Sequence, residues 1–227
     1  MLPKETESLS DVALSYEQSL HQYLYQPLSY IDSSWLKAIP LGDNVLKLDG
    51  WRYNSNLNQW LISCLSLGDV SESDFSNPAR SIALLPTAEL KLVLHYLGAT
   101  LHSQACKAVV LRQPRQVLLA NMGEEAYQFC LTQTQLLLSH WPTPWVKPLP
   151  EVITSHYFQI CGLQFVMSMF EPAQREAMTA WQLKLPYEFK EAFSVTEEMP
   201  VEQRVIAYQL IKKISKRVIP KCFHLLR

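Results

Sequence analysis

His102 and Cys106 stand four residues apart, a spacing that would put two metal-ligand side chains on one face of a helix. A structural zinc needs four ligands, and no second pair of His or Cys stands at that spacing. His95 lies seven residues before His102, but Gly98 is set to bend the path between them. His102 therefore reads as a packing or hydrogen-bonded histidine, with no metal. The five cysteines (Cys64, Cys106, Cys130, Cys161 and Cys222) are widely spread and odd in number. Neither a disulfide framework nor a C-x-x-C pair can be drawn from them, so they read as small hydrophobes in a reducing compartment. Glu124-Glu125 and Glu197-Glu198 are adjacent pairs. Neighbours on a helix diverge by about 100°, which does not make a paired acid and base. No G-x-S-x-G, P-loop, G-x-G-x-x-G or H-E-x-x-H is present. The expectation is a protein with no catalytic residue, no cofactor and no enzymatic activity.

Two features carry binding chemistry instead. From Val201 to Arg227 seven cations (Arg204, Lys212, Lys213, Lys216, Arg217, Lys221 and Arg227) face Glu202 alone, a local charge of +6. The preceding 200 residues hold 13 basic and 20 acidic groups, a charge of −7. The basic segment is either a solvated face that meets the negative end of a helix dipole or a docking surface for an acidic partner. Nucleic acid fits less well, because the acidic remainder repels phosphate and no aromatic RNA motif accompanies the cations.

The second feature is Trp141 to Pro150, with prolines at 142, 144, 148 and 150. They forbid a helix and favour an extended segment, but their intervals lack P-x-x-P spacing. It reads either as a rigid strap pinned by Trp141 and Trp145 or as an exposed tryptophan anchor for a partner. Trp141, Trp145, Lys147, Lys212, Lys213, Lys216, Arg217 and Lys221 are accordingly the candidate partner-binding residues.

The elements that must position these residues are helices. Pro200 opens a long helix with the stripe Val201, Val205, Tyr208, Ile211, Ile214-Ser215 and Val218, and Pro220 ends it. Pro86-Thr87 starts another, with Thr87 as N-cap, Glu89 in the first turn and Leu90, Val93, Leu94 and Leu97 inside. Helical patterns also cover Tyr16–Tyr25, a short piece capped by Ser33-Ser34, Leu57–Leu67, Ala99–Arg112 and Arg115–Met122. Further ones run from Glu124 to about His140, from Glu151 to Phe170 and from Ala173 to Leu183. Asp69 to Arg80 is polar and turn-rich, a loop or linker, and Lys184 to Met199 reads as irregular. No stretch sustains a two-residue alternation. The predicted class is all-α: a compact bundle of short, proline-interrupted helices with an extended Trp/Pro strap. Residues 1–80 form a less defined helical region packed on a main domain of 81–227.

Composition agrees. At 227 residues, 48% hydrophobic and 18% charged, the chain is globular and long enough to bury a sizeable core. Six glycines argue against tight-turned β structure and phosphate-cradling loops. The acidic start, Met1 to Asp11, lacks the basic and apolar regions of a signal peptide. The longest apolar stretch, Val152 to Phe170, holds Ser155, His156, Gln159 and Gln164, so it reads as a core helix and not a membrane span. A cytoplasmic protein is expected.

Three stretches together resemble one family. They are Leu97-Gly98 with Leu101-His102 and the run to Val110-Leu111; Trp141-Pro142-Thr143 with Trp145 and Pro148-Leu149-Pro150; and Lys216-Arg217-Val218 with Pro220, Cys222, His224 and Leu225. In that order they are similar to the SctK (YscK-type) accessory proteins of bacterial type III secretion systems, over roughly Leu84 to Arg227. The resemblance implies a non-enzymatic, helical adaptor of the injectisome sorting platform, cytoplasmic and peripheral to the inner membrane. Its implied partners are the cytoplasmic domain of the ring protein SctD and the pod protein SctQ, and through the pod the stalk protein SctL and the ATPase SctN. No nucleic acid and no membrane insertion are implied. A secretion chaperone or regulator that binds exported substrates is the alternative.

Overall fold

Fourteen prolines against six glycines set helices that start and stop abruptly. The computed structural model describes residues 14–65, 67, 75, 77–171, 174, 179–194 and 197–226, and among them helix is the only regular element. The helices are α1 (Tyr16–Tyr25), α2 (Pro27–Tyr30), α3 (Ser33–Lys37), α4 (Gly42–Val45), α5 (Ser55–Cys64) and α6 (Thr87–Leu101). They continue as α7 (Ser103–Ala108), α8 (Arg112–Met122), α9 (Glu124–Thr132), α10 (Tyr157–Ser168), α11 (Thr179–Gln182) and α12 (Val201–Val218). The fold is all-α.

The centre is the crossing of α6 and α10. Leu90, Val93, Leu94, Leu97 and Leu101 on one side meet Phe158, Leu163, Phe165 and Val166 on the other, all buried. Such backbone proximity requires glycine at the contact. A Cβ on Gly98 would lie 1.8 Å from the carbonyl oxygen of Phe158, and one on Gly162 would lie 2.0 Å from that of Leu94. Gly98 is therefore neither the end of α6 nor a kink, as its sequence position suggests, but the place where α10 comes closest. α12 and α9 pack around α6, and Ala207, Leu210, Ile211 and Ile214 of α12 are buried.

Residues 14–65 sit on this centre through specific bonds. The Asp32 N–H donates to Leu183 O (2.7 Å) and the Trp35 indole N–H to Leu185 O (2.7 Å). Lys91 pairs with Asp32 at 3.1 Å. Arg52 donates to the carbonyls of Leu28, Ser29 and Ile31 at 3.0–3.3 Å, satisfying acceptors that the short α2 leaves open at its C-terminal end.

Several element boundaries differ from the sequence reading. Asp32, not Ser33 or Ser34, caps α3 by accepting from Ser34 N–H. Thr87 is the first helical residue after Pro86 and its hydroxyl donates to Tyr30 O at 3.4 Å, so it ties α6 to the N-terminal layer instead of capping it. α9 stops at Thr132, whose hydroxyl bonds back to Gln128 O, and a 3-10 turn at Thr134–Leu136 follows. α10 begins at Tyr157, since Val152 and Ile153 are apolar without being helical. The stretch 69–80 and the expected helix from Ala173 lie partly outside the described residues. The end of that stretch is no loose linker: Pro78–Leu84 is a 3-10 segment in which Ala79 through Leu84 are buried. Tyr187–Phe193, read as irregular, is also 3-10.

Candidate protein-interaction surface

The Trp/Pro segment is held from both sides. Thr143–Trp145 makes a 3-10 turn, and the chain then runs extended to Pro150. Trp145 is 4% exposed; its indole N–H donates to Gln203 Oε1 at 3.0 Å and its ring meets Phe165 edge-on at 4.9 Å. The Lys147 N–H donates to Leu101 O at 2.9 Å, filling one of the acceptors at the C-terminal end of α6. This makes the segment a strap across α6, α10 and α12. Trp145 is consequently not an exposed anchor, a correction that follows from its burial, while Trp141 and Lys147 remain half-buried on the outer side.

His102 is fully buried beneath the strap, against Phe158 and Tyr157. Burial pulls its pKa down to about 4, partly opposed by the nearby carbonyls of Pro148 and Lys147, so it is neutral at pH 7. Neither ring nitrogen makes a hydrogen bond of good geometry. Cys106 is buried one turn on, its thiol pushed up to about 11 by burial, so it carries its proton at pH 7. No group of three or more His, Cys, Asp or Glu able to hold a metal occurs among the described residues. No described helix is long and apolar enough to cross a membrane.

The basic residues belong to α12 and the 3-10 turn Pro220–Leu225 that follows it. Lys213, Lys216 and Arg217 are exposed and Lys212 is half-buried, its ammonium 5.6 Å from the Tyr208 ring centroid and 6.0 Å from that of Phe223. Lys213 donates to Leu137 O at 2.7 Å. None of these four takes part in an ion pair within 4 Å among the described residues. Lys221 is exposed on the terminal turn, where His224 reaches Leu14 O at 2.8 Å. Arg217 also borders a shallow groove with Leu92, Tyr96, Glu125, Phe129 and Val218, between α6, α9 and α12. Structure thus puts Lys212, Lys213, Lys216, Arg217 and Lys221 on the last turns of α12 and the turn after it, and leaves Trp141 and Lys147 with the strap.

Two residues on α12 depart from the expected buried stripe. Val201 is 67% and Val205 68% exposed, because both face away from the sector of α12 that packs inward. The signal that could have revealed this is angular: at about 100° per residue, positions 201 and 205 fall well outside the sector shared by 207, 211 and 214.

The family model described as YOP proteins translocation protein K (YscK) matches residues 18–227 of this chain, including the N-terminal layer where the sequence motifs were silent. Yop proteins translocation protein K of Yersinia enterocolitica is 32% identical over 206 residues, spanning 89% of this chain and 92% of that protein. The protein of that name from Yersinia pseudotuberculosis serotype I (strain IP32953) is equally similar, with the same coverage. Among solved structures, the cytoplasmic domain of the T3SS sorting platform protein PscK from P. aeruginosa matches with a TM-score of 0.68 and 28% identity, over 94% of this chain and 99% of that one.

Proposed function

The chain belongs to the YscK family, and from that premise we propose that it works as a non-enzymatic adaptor in the sorting platform of a bacterial type III secretion system. The observation that carries this reading is the match to PscK, a sorting platform protein, over nearly the whole of both chains. In this role the chain links the cytoplasmic domain of the ring protein SctD to the pod protein SctQ, and so to SctL and SctN. It acts in the cytoplasm, against the inner membrane. Residues 81–227 are the adaptor domain, and the layer before them is seated on it through Asp32, Trp35 and Lys91.

An adaptor needs two surfaces that do not compete, and opposite fields supply them. The −7 of the first 200 residues and the exposed Lys213, Lys216 and Arg217 of α12 orient partners of opposite charge before contact. The test is co-purification with SctQ and with the cytoplasmic domain of SctD at moderate salt. Both should be retained, and K212E/K213E/K216E/R217E should release one and keep the other. Retention of neither by the wild-type chain would overturn the reading.

A further inference from the structure

Along α12 the solvent-facing residues occupy one sector of the helix and change character from end to end. Val201, Val205 and Ile206 make an exposed apolar start, with Glu202 between them. Gln209 follows, and Lys213, Lys216 and Arg217 make an exposed basic finish. The row 201–205–209–213–217 keeps i, i+4 spacing over about 24 Å of helix axis, turning by about 40° per step, so these side chains form one slanted ridge.

Two valines at two-thirds exposure or more, four residues apart on an amphipathic helix, are an unfilled apolar site at the scale of one partner helix. The cations are not committed elsewhere in ion pairs among the described residues. A membrane surface does not match this layout. An interfacial helix carries its apolar residues along its whole length and its cations beside them, whereas here the two are separated lengthwise. Nucleic acid would leave the valines unused and would meet the acidic body.

We propose that the outer face of α12 receives an amphipathic helix of a partner protein, running antiparallel, whose acidic first turns lie over Lys213, Lys216 and Arg217 and whose aliphatic residues cover Val201, Val205 and Ile206. The direction follows from charge. Carboxylates are favoured at the partner's helix N-terminus, cations at the C-terminus of α12, and Glu202 at the N-terminus of α12 favours a basic far end on the partner. The apolar end sets how long the complex lasts, and the basic end sets how fast it forms and its response to salt.

This proposal rests on the adaptor reading and refines one of its two contacts. The test measures affinities of the full chain for purified SctQ and for the cytoplasmic domain of SctD, at low and high NaCl. V201D/V205D, both at exposed positions in the first turns where a carboxylate suits the dipole, should keep the melting temperature. It should weaken the same contact that K213E/K216E/R217E weakens, by tenfold or more, and leave the other contact within twofold. The loss from the cation variant should shrink at high salt, and that from the valine variant should persist. If the wild type binds a partner and V201D/V205D binds both as the wild type does, the α12 face is wrong while the adaptor reading stands. If the wild type binds neither, both fall.

Discussion

The Trp145 indole N–H and Gln203 Oε1 meet at 3.0 Å, and through this one bond the strap is fixed to the helix that carries the basic face. Gln203 points inward from the first turns of α12, so Trp145 sets the seating of the end at which Val201 and Val205 project. Removing only the donor isolates the bond. Trp145→Phe keeps most of the edge contact with Phe165 and should cost about 1 kcal/mol, while Trp145→Ala also opens a cavity and should cost roughly 3–5 kcal/mol. Urea unfolding followed by far-UV circular dichroism reads both. Equal stability of the alanine variant and the wild type would mean the strap is not fastened there.

Gly98→Ala separates helix propensity from packing. Inside an exposed helix the change would stabilise by about 1 kcal/mol. Here the new methyl meets the backbone carbonyl of Phe158, which cannot rotate away, so α6 and α10 must part. The expected result is a destabilisation of more than about 2 kcal/mol, and the same for Gly162→Ala against Leu94. Thermal melts decide it; a raised melting temperature in either variant would contradict the crossing.

These two sites mark what the sequence made legible and what it did not. α12 could be drawn to within a residue because Pro200 and Pro220 bracket a 3.6-residue pattern, and the leucines of α6 gave its inner face for the same reason. Gly98 was visible as a glycine but not as a crossing point, because its partner Phe158 is 60 positions away and leaves no local pattern. The strap was legible from its prolines, yet the choice between pin and anchor depended on Phe165 and Gln203, neither of which is near Trp145 in sequence. The exposure of Val201 and Val205 was lost in the other direction. Both valines keep an i, i+4 apolar spacing, yet at about 100° per residue they face away from Ala207, Ile211 and Ile214.

Thiol reactivity should divide the cysteines sharply. Cys64 is exposed, whereas Cys106, Cys130, Cys161 and Cys222 are buried, and burial pushes each of those four thiols up from its ordinary value. At pH 8 the native chain should release one equivalent rapidly on reaction with a disulfide reagent, and five after unfolding in urea. Cys64→Ser should abolish the fast equivalent. Two fast equivalents in the wild type would mean that a helix covering one of the other four opens readily.

Lys184 gives the chain a stability that depends on alkaline pH. Its side chain is buried, donates to the carbonyls of Ala83 (2.6 Å) and Leu85 (2.8 Å), and lies 5.4 and 5.0 Å from the ring centroids of Tyr23 and Tyr30. No carboxylate accompanies it in the ion pairs of the described residues. Burial pulls its pKa down to about 7, and the carbonyls and ring faces oppose that pull. Between this value and the ordinary lysine range the unfolded chain holds the extra proton, so stability from this group rises as pH rises from 7. Below pH 7 both states are charged and the contribution is flat. The limiting slope for one such group is about 1.4 kcal/mol per pH unit. Other raised groups, the buried cysteines among them, act in the opposite direction above about pH 8.5, so the effect must be taken as a difference between two chains. Lys184→Met removes the charge and keeps the length of the side chain. The stability of the wild type minus that of this variant should climb by about 1 kcal/mol or more between pH 7.0 and 8.5. Parallel curves across that window would show that the lysine stays charged in its pocket, held there by the two carbonyls and the two tyrosine rings.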